Sequence, residues 1–168
     1  SSSSAASDVY KRQTRHFHAS LQYPAKSLSA ANELGTFRLG PHVAIPVHAA
    51  DAPERIPPER LLLDLEDPIV LEHLEFLGKK WQLRQDVFLS SPPGPYTRRL
   101  CQTFAALIQV PVEYVSLHRD IGEAELLQQR SLEAGGNLRY DDGPVVRAMK
   151  HGRILILDGI ERAERGVM

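Results

Sequence analysis

Two segments of the chain contain the residue types from which a nucleotide-phosphate site can be built. The first, Asp86–Arg99 (DVFLSSPPGPYTRR), passes from a short apolar stretch through a Pro/Gly turn into a helical pattern. The second, Arg153–Asp158 (RILILD), is an apolar stretch that ends in a carboxylate. A strand leading through a turn to a helix N-terminus presents backbone N–H groups to a phosphate, and an acid after a later strand can orient magnesium. The pattern therefore predicts a phosphate-binding loop paired with a metal-orienting Asp158.

The loop departs from the pattern G-x-x-x-x-G-K-[ST] that it otherwise follows. Ser91 and Tyr96 stand where the two glycines are expected, Thr97 stands where the Lys is expected, and Arg98 stands where the hydroxyl is expected. Tyr96 brings a Cβ and a ring to a position where a glycine lets the chain approach the phosphate. The predicted nucleotide-binding residues are Ser91, Pro92, Pro93, Gly94, Pro95, Tyr96, Thr97, Arg98 and Arg99.

Positive charge in the loop comes from two arginines. A guanidinium binds phosphate in a bidentate way, so Arg98 or Arg99 can replace the missing Lys. Neither lies in the Lys register, although a slip of one residue brings Arg98 there. Pro95 removes one backbone donor from the loop. The sequence predicts that the loop forms, but it does not decide whether the loop binds a nucleotide.

The apolar segment that ends in Asp158 predicts a central parallel strand. Ile154–Leu157 is continuously apolar, as in strands buried on both faces, and Asp158 follows at the carboxyl end, where open α/β sheets bind ligands. Hydrolysing enzymes of this type usually place a Glu next, but here the next residue is Gly159, with Glu161 two positions further on. The alternative reading is a buried strand that simply ends in an Asp.

Four blocks in one order resemble the dynein-related, midasin-like branch of AAA+ ATPases: Gln85–Arg99, Val112–Asp120, Ala124–Arg130 and Arg153–Arg165. This resemblance covers roughly residues 40–168 and includes the PPGP turn with two arginines and the Gly after the acid. It implies a P-loop NTPase fold that uses ATP and Mg²⁺, with Asp158 acting catalytically and holding Mg²⁺ through water. It also implies a mitochondrial ATPase with further AAA+ modules that self-associate in a ring.

Size and composition predict one ordinary soluble domain. With 168 residues, 42% of them hydrophobic, the chain can build a core, and its net charge of −1 gives no electrostatic case for nucleic acid. No apolar run approaches the length of a membrane span. The single Cys101 excludes an internal disulfide, and the seven histidines show no paired metal spacing.

Both ends of the chain are expected to be cut. Residues 1–39 are predicted to be a disordered tail whose first thirteen residues are an artefact, followed by either a transit-peptide remnant or a linker. Residues 40–168 are predicted to be the N-terminal part of an AAA+ module, truncated before its last strands.

Periodicity predicts the elements that carry the two segments. Asp67–Pro68 reads as the start of a helix whose apolar stripe faces a sheet. Alternating strands and helices predict a parallel sheet flanked by helices. The further expected elements are strands at 42–47, 87–89 and 112–117, helices at 98–108, 120–129 and 144–150, and a loop at Gly135–Gly136.

Two functions from different classes remain open at the level of sequence. One is an ATP-binding AAA+ module that couples ATP binding and hydrolysis to remodelling of a partner. The other is a pseudo-ATPase module with a structural or regulatory role in a ring, which the missing Lys, second Gly and Glu favour.

Overall fold

The computed structural model describes residues 19–22, 33–132 and 138–163. The chain divides into two compact units. The first unit comprises the chain up to Ala50 together with Pro57–Gln109, and the second comprises Asp51–Ile56 together with the chain from Val110 onward. Each unit has its own elements and is described by itself.

The first unit starts with a three-stranded antiparallel sheet in the order β1-β2-β3. Its strands are β1 (Ala19–Gln22), β2 (Glu33–Leu39) and β3 (Val43–His48). Phe37 and Leu39 of β2 are almost completely buried. The expectation of a disordered tail through residue 39 is therefore wrong for residues 19–22, which pair with β2, and for residues 33–39, which form a hairpin with β3.

Two helices complete the first unit, α1 (Pro68–Gln82) and α2 (Tyr96–Leu107). The predicted start of α1 is confirmed, since the Asp67 carboxylate accepts a hydrogen bond from the Ile69 N–H at 2.9 Å. Most of its predicted apolar stripe is buried, but Trp81 stays 38% exposed and meets Phe104 of α2 edge-on. The buried apolar residues of the two helices are Val70, Leu71, Leu74, Leu77, Leu100, Phe104, Ala105, Ala106 and Leu107.

The second unit is built on two parallel strands, β4 (Val112–Ser116) and β7 (Ile154–Asp158), paired in register from Val112↔Ile154 to Ser116↔Asp158. The parallel pair and its helices confirm the predicted α/β class. Between the two strands lie α3 (Glu123–Leu127), β5 (Gln128–Leu132), β6 (Leu138–Asp142) and α4 (Pro144–His151).

The end of α4 follows local chemistry that the sequence predicts. Gly152 closes the helix in a left-handed conformation at φ 64°, and Lys150 and His151 occupy the last turn. In β7, by contrast, only Ile156 is buried, so the expectation of a strand covered on both faces is not met within the described residues.

Two expectations about elements are wrong, and one pairing was not anticipated. Residues 87–89 form no strand, because this extended segment has no ladder partner among the described residues, and Phe88 is 73% exposed. The helix expected at 120–129 is only the short α3, and its last two residues belong to β5. The antiparallel pairing of β5 with β6 was not anticipated. The loop expected at Gly135–Gly136 lies outside the described residues.

Candidate functional site

The predicted phosphate-binding loop leads directly into the N-terminus of α2. Residues 90–95 are exposed, and Gly94 has φ 156°, at the edge of the region that favours glycine. Pro95 caps the helix without a side-chain hydrogen bond, and the first intrahelical bond runs from the Arg99 N–H to the Pro95 carbonyl at 2.9 Å. The N–H groups of Tyr96–Arg98, which precede that first bond, therefore lie at the positive end of the helix dipole, the geometry with which helices bind anions.

Tyr96 does not fill the loop with its ring. Its hydroxyl is hydrogen bonded to Nδ1 of His73 on α1 at 2.7 Å, and the two rings meet edge-on with centroids 5.7 Å apart. Burial, together with the nearby negative charge of Asp67, raises the pKa of the Tyr96 phenol. The bulky residue at the position of the second glycine thus fastens the start of α2 to α1.

The two hydroxyls of the loop bind each other. Ser91 stands at the first glycine position and Thr97 at the Lys position, and their Oγ atoms are hydrogen bonded. Ser91 Oγ also lies 3.2 Å from the Pro92 carbonyl, to which it donates. These contacts close the loop by side-chain hydrogen bonds across six residues.

The two arginines of the loop have different environments. Arg98 is exposed, whereas Arg99 is half-buried. Arg99 Nε donates to the Leu61 carbonyl at 3.0 Å, and one terminal nitrogen donates to the Leu62 carbonyl at 2.8 Å. Sequence reasoning placed both side chains on phosphate, but the structure gives Arg99 these two carbonyl partners.

A cavity of about 630 Å³ lies beside Arg99 in the first unit. Its lining combines the guanidinium with two carboxylates and three leucines: Glu59, Leu62, Leu63, Asp64 and Leu65 surround it together with Arg99. The segment that contributes this lining begins with the short 3₁₀ turn Glu59–Leu61.

Asp158 lies at the carboxyl end of β7 in the second unit, as predicted. Oδ2 of its carboxylate accepts a hydrogen bond from the Tyr114 hydroxyl on β4 at 2.7 Å. Mg²⁺ in nucleotide sites is held by one or two carboxylates together with phosphates and water, so a single Asp suits the expected role. Within the described ranges, no group of three or more His, Cys, Asp and Glu residues is arranged to hold a metal by itself.

Gly159 follows Asp158 in the left-handed conformation, with φ 82° and ψ 40°. A Cβ at this position would lie 2.7 Å from Nε of Arg162. The backbone at the position where hydrolysing enzymes carry a Glu is therefore adapted to glycine. Glu161, the other candidate, is 72% exposed and contacts Arg162 at 3.3 Å.

Sequence reasoning missed a buried charge cluster in the second unit. Glu113 on β4 is only 2% exposed and is surrounded by three guanidiniums, those of Arg55 at 3.0 Å, Arg147 at 3.1 Å and Arg153 at 2.7 Å. Arg153 also contacts Asp51 at 3.1 Å. The only local signal of this cluster was an acid two residues before the apolar Val115, and therefore on the same face of the strand.

The cluster holds its carboxylates in the charged form. Burial favours protonation of Glu113, but hydrogen bonds from Arg147 and Arg153, with the charge of Arg55, outweigh it, so the pKa lies below its ordinary value. A hydrogen bond from Arg153 likewise lowers the pKa of Asp51. The cluster ties the segment Asp51–Ile56 to β4 and β7.

Comparison with known proteins places residues 86–168 in a family. They match the family described as AAA domain (dynein-related subfamily), beginning just before the loop and including both β4 and β7. This part of the chain therefore belongs to the dynein-related subfamily of AAA domains.

Among the helices of the described residues, none has the length and apolar character needed to span a bilayer.

Individual relatives agree with this class. The chain is similar to the mouse von Willebrand factor A domain-containing protein 8, with 40% identity over 116 residues, which is 69% of this chain and 6% of that protein. It is 32% identical over 92 residues to the denitrification regulatory protein NirQ of Pseudomonas aeruginosa, covering 55% of this chain and 35% of the relative. The chain thus spans about a third or less of these two relatives.

Proposed function

We propose that the chain is the ATP-binding N-terminal part of an AAA+ module, with the phosphates bound at residues 91–99. The observation that carries this proposal is the helix start at Tyr96: α2 begins where the loop ends, and no side chain caps its first turn among the described residues. Family membership of residues 86–168 supports the same ligand. The exposed Arg98 supplies the positive charge that the missing Lys would otherwise provide.

Magnesium is the second expected ligand. Asp158 would orient Mg²⁺ through water, and the Tyr114 hydroxyl would hold the Asp158 carboxylate in one rotamer. In phosphoryl transfer Mg²⁺ supplies charge neutralisation, so the role expected of Asp158 is positioning and electrostatic stabilisation.

Binding of a fluorescent ATP analogue, with and without Mg²⁺, tests the proposal. Arg98→Ala should weaken binding at least tenfold, because a charge-assisted phosphate contact is lost. Arg38→Ala is the matched control, since Arg38 is also an exposed arginine of the first unit and lies on β2. Absence of Mg²⁺-dependent binding by the folded, unaltered chain would refute the proposal.

A module without turnover is the second candidate, and the backbone at Gly159 favours it. The left-handed conformation there disfavours the Glu that would polarise an attacking water. Release of inorganic phosphate from ATP separates the two candidates. An ATPase module releases phosphate at a rate that Asp158→Asn abolishes, whereas a pseudo-ATPase module binds the analogue and releases none above the rate of the Asp158→Asn variant.

The larger context is also proposed. We infer from the resemblance to dynein-related AAA+ ATPases that the chain acts within a multi-module mitochondrial ATPase, which self-associates in a ring and remodels a partner. The matched segment is only 6% of the similar mouse protein, which leaves length for further modules. Light scattering of the intact natural protein with and without ATP tests self-association. Microscopy of the tagged intact protein tests the location, and a non-mitochondrial signal would contradict it.

A further inference from the structure

The guanidinium of Arg99 donates hydrogen bonds to backbone carbonyl oxygens of its own chain. Its Nε and one terminal nitrogen each meet a different carbonyl, those of Leu61 and Leu62, at 3.0 and 2.8 Å. A guanidinium presents its donors in a rigid planar fork, so two bonds to consecutive carbonyls fix both the side chain and the segment that it holds. A lysine ammonium at the same position has no such fork.

A second attachment joins the same two elements one turn further along α2. The Leu63 N–H donates to Thr103 Oγ1 at 2.9 Å, and the Thr103 hydroxyl donates to the Arg99 carbonyl at 2.7 Å. Thr103 is completely buried. Three consecutive residues, Leu61–Leu63, are thereby bonded to Arg99 and Thr103 of α2, the helix that begins at the phosphate-binding turn.

We propose that Arg99 is a positioning residue of the nucleotide site rather than a phosphate ligand. It fixes the first turn of α2 against the Leu61–Leu63 segment, so that the N–H groups of Tyr96–Arg98 are held ready for the phosphates. Arg98 alone then supplies the phosphate-binding charge. This inference rests on the proposed ATP binding. The sequence allowed either arginine to bind phosphate, whereas the inference gives phosphate binding to Arg98 and positioning of α2 to Arg99.

The chemistry of substitution separates the two roles. Lysine keeps the positive charge but not the bidentate geometry, so Arg99→Lys retains clearly more affinity than Arg99→Ala if Arg99 contacts phosphate. If Arg99 positions the helix, Arg99→Lys loses one of the two carbonyl bonds and weakens binding nearly as much as Arg99→Ala. Thr103→Val removes the second attachment without changing any charge, and should weaken binding in the same direction.

The decisive experiment measures binding of the fluorescent ATP analogue with Mg²⁺ by the 168-residue chain at several salt concentrations. We expect Arg98→Ala to reduce the salt dependence of the dissociation constant, because a screened charge contact is lost. We expect Arg99→Ala to weaken binding severalfold at every salt concentration, with the salt dependence unchanged. Full affinity in Arg99→Lys, or a reduced salt dependence in Arg99→Ala, would overturn the positioning role.

Amide hydrogen exchange without nucleotide gives an independent readout. We expect Arg99→Ala to accelerate exchange at least tenfold at the amides of residues 99–102, which are the first in α2 with acceptors one turn earlier, while exchange in β4 and β7 of the second unit stays unchanged. Unaltered exchange at residues 99–102 would also overturn the inference. If the unaltered chain binds no analogue, the proposed function fails, and the exchange experiment still decides whether Arg99 positions α2.

Discussion

The guanidinium of Arg153 lies 2.7 Å from Oε1 of Glu113, and the side chains of both residues are at least nine-tenths buried. Arg153 immediately precedes β7, and Glu113 lies on its parallel neighbour β4. A buried carboxylate requires charged partners, and Glu113 has three. The start of the acid-bearing strand is thus fixed by an ion pair between neighbouring strands.

Removal of the Glu113 charge should destabilise the second unit. Glu113→Gln leaves the buried Arg153 without its main counter-ion, and breaking a buried pair in this way costs on the order of 3–5 kcal/mol. Urea unfolding followed by circular dichroism measures the change. Glu125→Gln, at an exposed position of α3, should change the free energy of unfolding by less than about 0.5 kcal/mol.

The same cluster predicts acid sensitivity. Because the pKa of Glu113 is lower in the folded chain than its ordinary value of 4.5, the folded state favours the charged form. Its contribution to stability is complete above that value and disappears as the pH falls through the lower folded pKa. The free energy of unfolding, measured at a series of pH values, should therefore fall less steeply below pH 4.5 in Glu113→Gln. An identical slope in both proteins would contradict this prediction.

Gly78 lies where α1 approaches β3. A Cβ at this position would lie 2.6 Å from Cγ1 of Val43. Gly78→Ala, which usually stabilises a helix by about 1 kcal/mol, should here be destabilising because the added methyl overlaps the valine. Combining it with Val43→Ala should recover part of the loss, and thermal unfolding of both single variants and the double variant measures this coupling. Additive effects would contradict the proposed overlap.

Gly159 is expected to resist substitution. Any residue with a Cβ is strained in its left-handed conformation, at a cost of about 1–2 kcal/mol for Gly159→Ala. Gly122→Ala is the matched control, since Gly122 has φ −90° and open space around it. Thermal unfolding should separate the two variants by several degrees. Gly159→Glu should likewise destabilise the chain and leave phosphate release from ATP unchanged.

Local patterns predicted the elements whose causes are local. The capping Asp67 and the spacing of Val70, Leu74 and Leu77 predicted α1, and Pro144 with Gly152 predicted the limits of α4. Helix caps and apolar periodicity act within one or two turns, so they can be read from consecutive residues. The strand expected at 87–89 is absent from the described residues, because a strand forms only with a pairing partner, which consecutive apolar residues do not specify.

By itself, the sequence determined the class of the chain: a Pro/Gly loop before a helix, a later apolar strand ending in Asp158, and their order. The tertiary structure decided the hydrogen-bond partners of the side chains at the loop. Arg99 donates to carbonyls 37 and 38 positions away, and the Tyr96 hydroxyl is bonded to His73 across 23 positions. It also decided that Glu113 is buried among three arginines. These contacts join residues far apart in the chain, and packing of whole elements, which no local pattern encodes, brings them together.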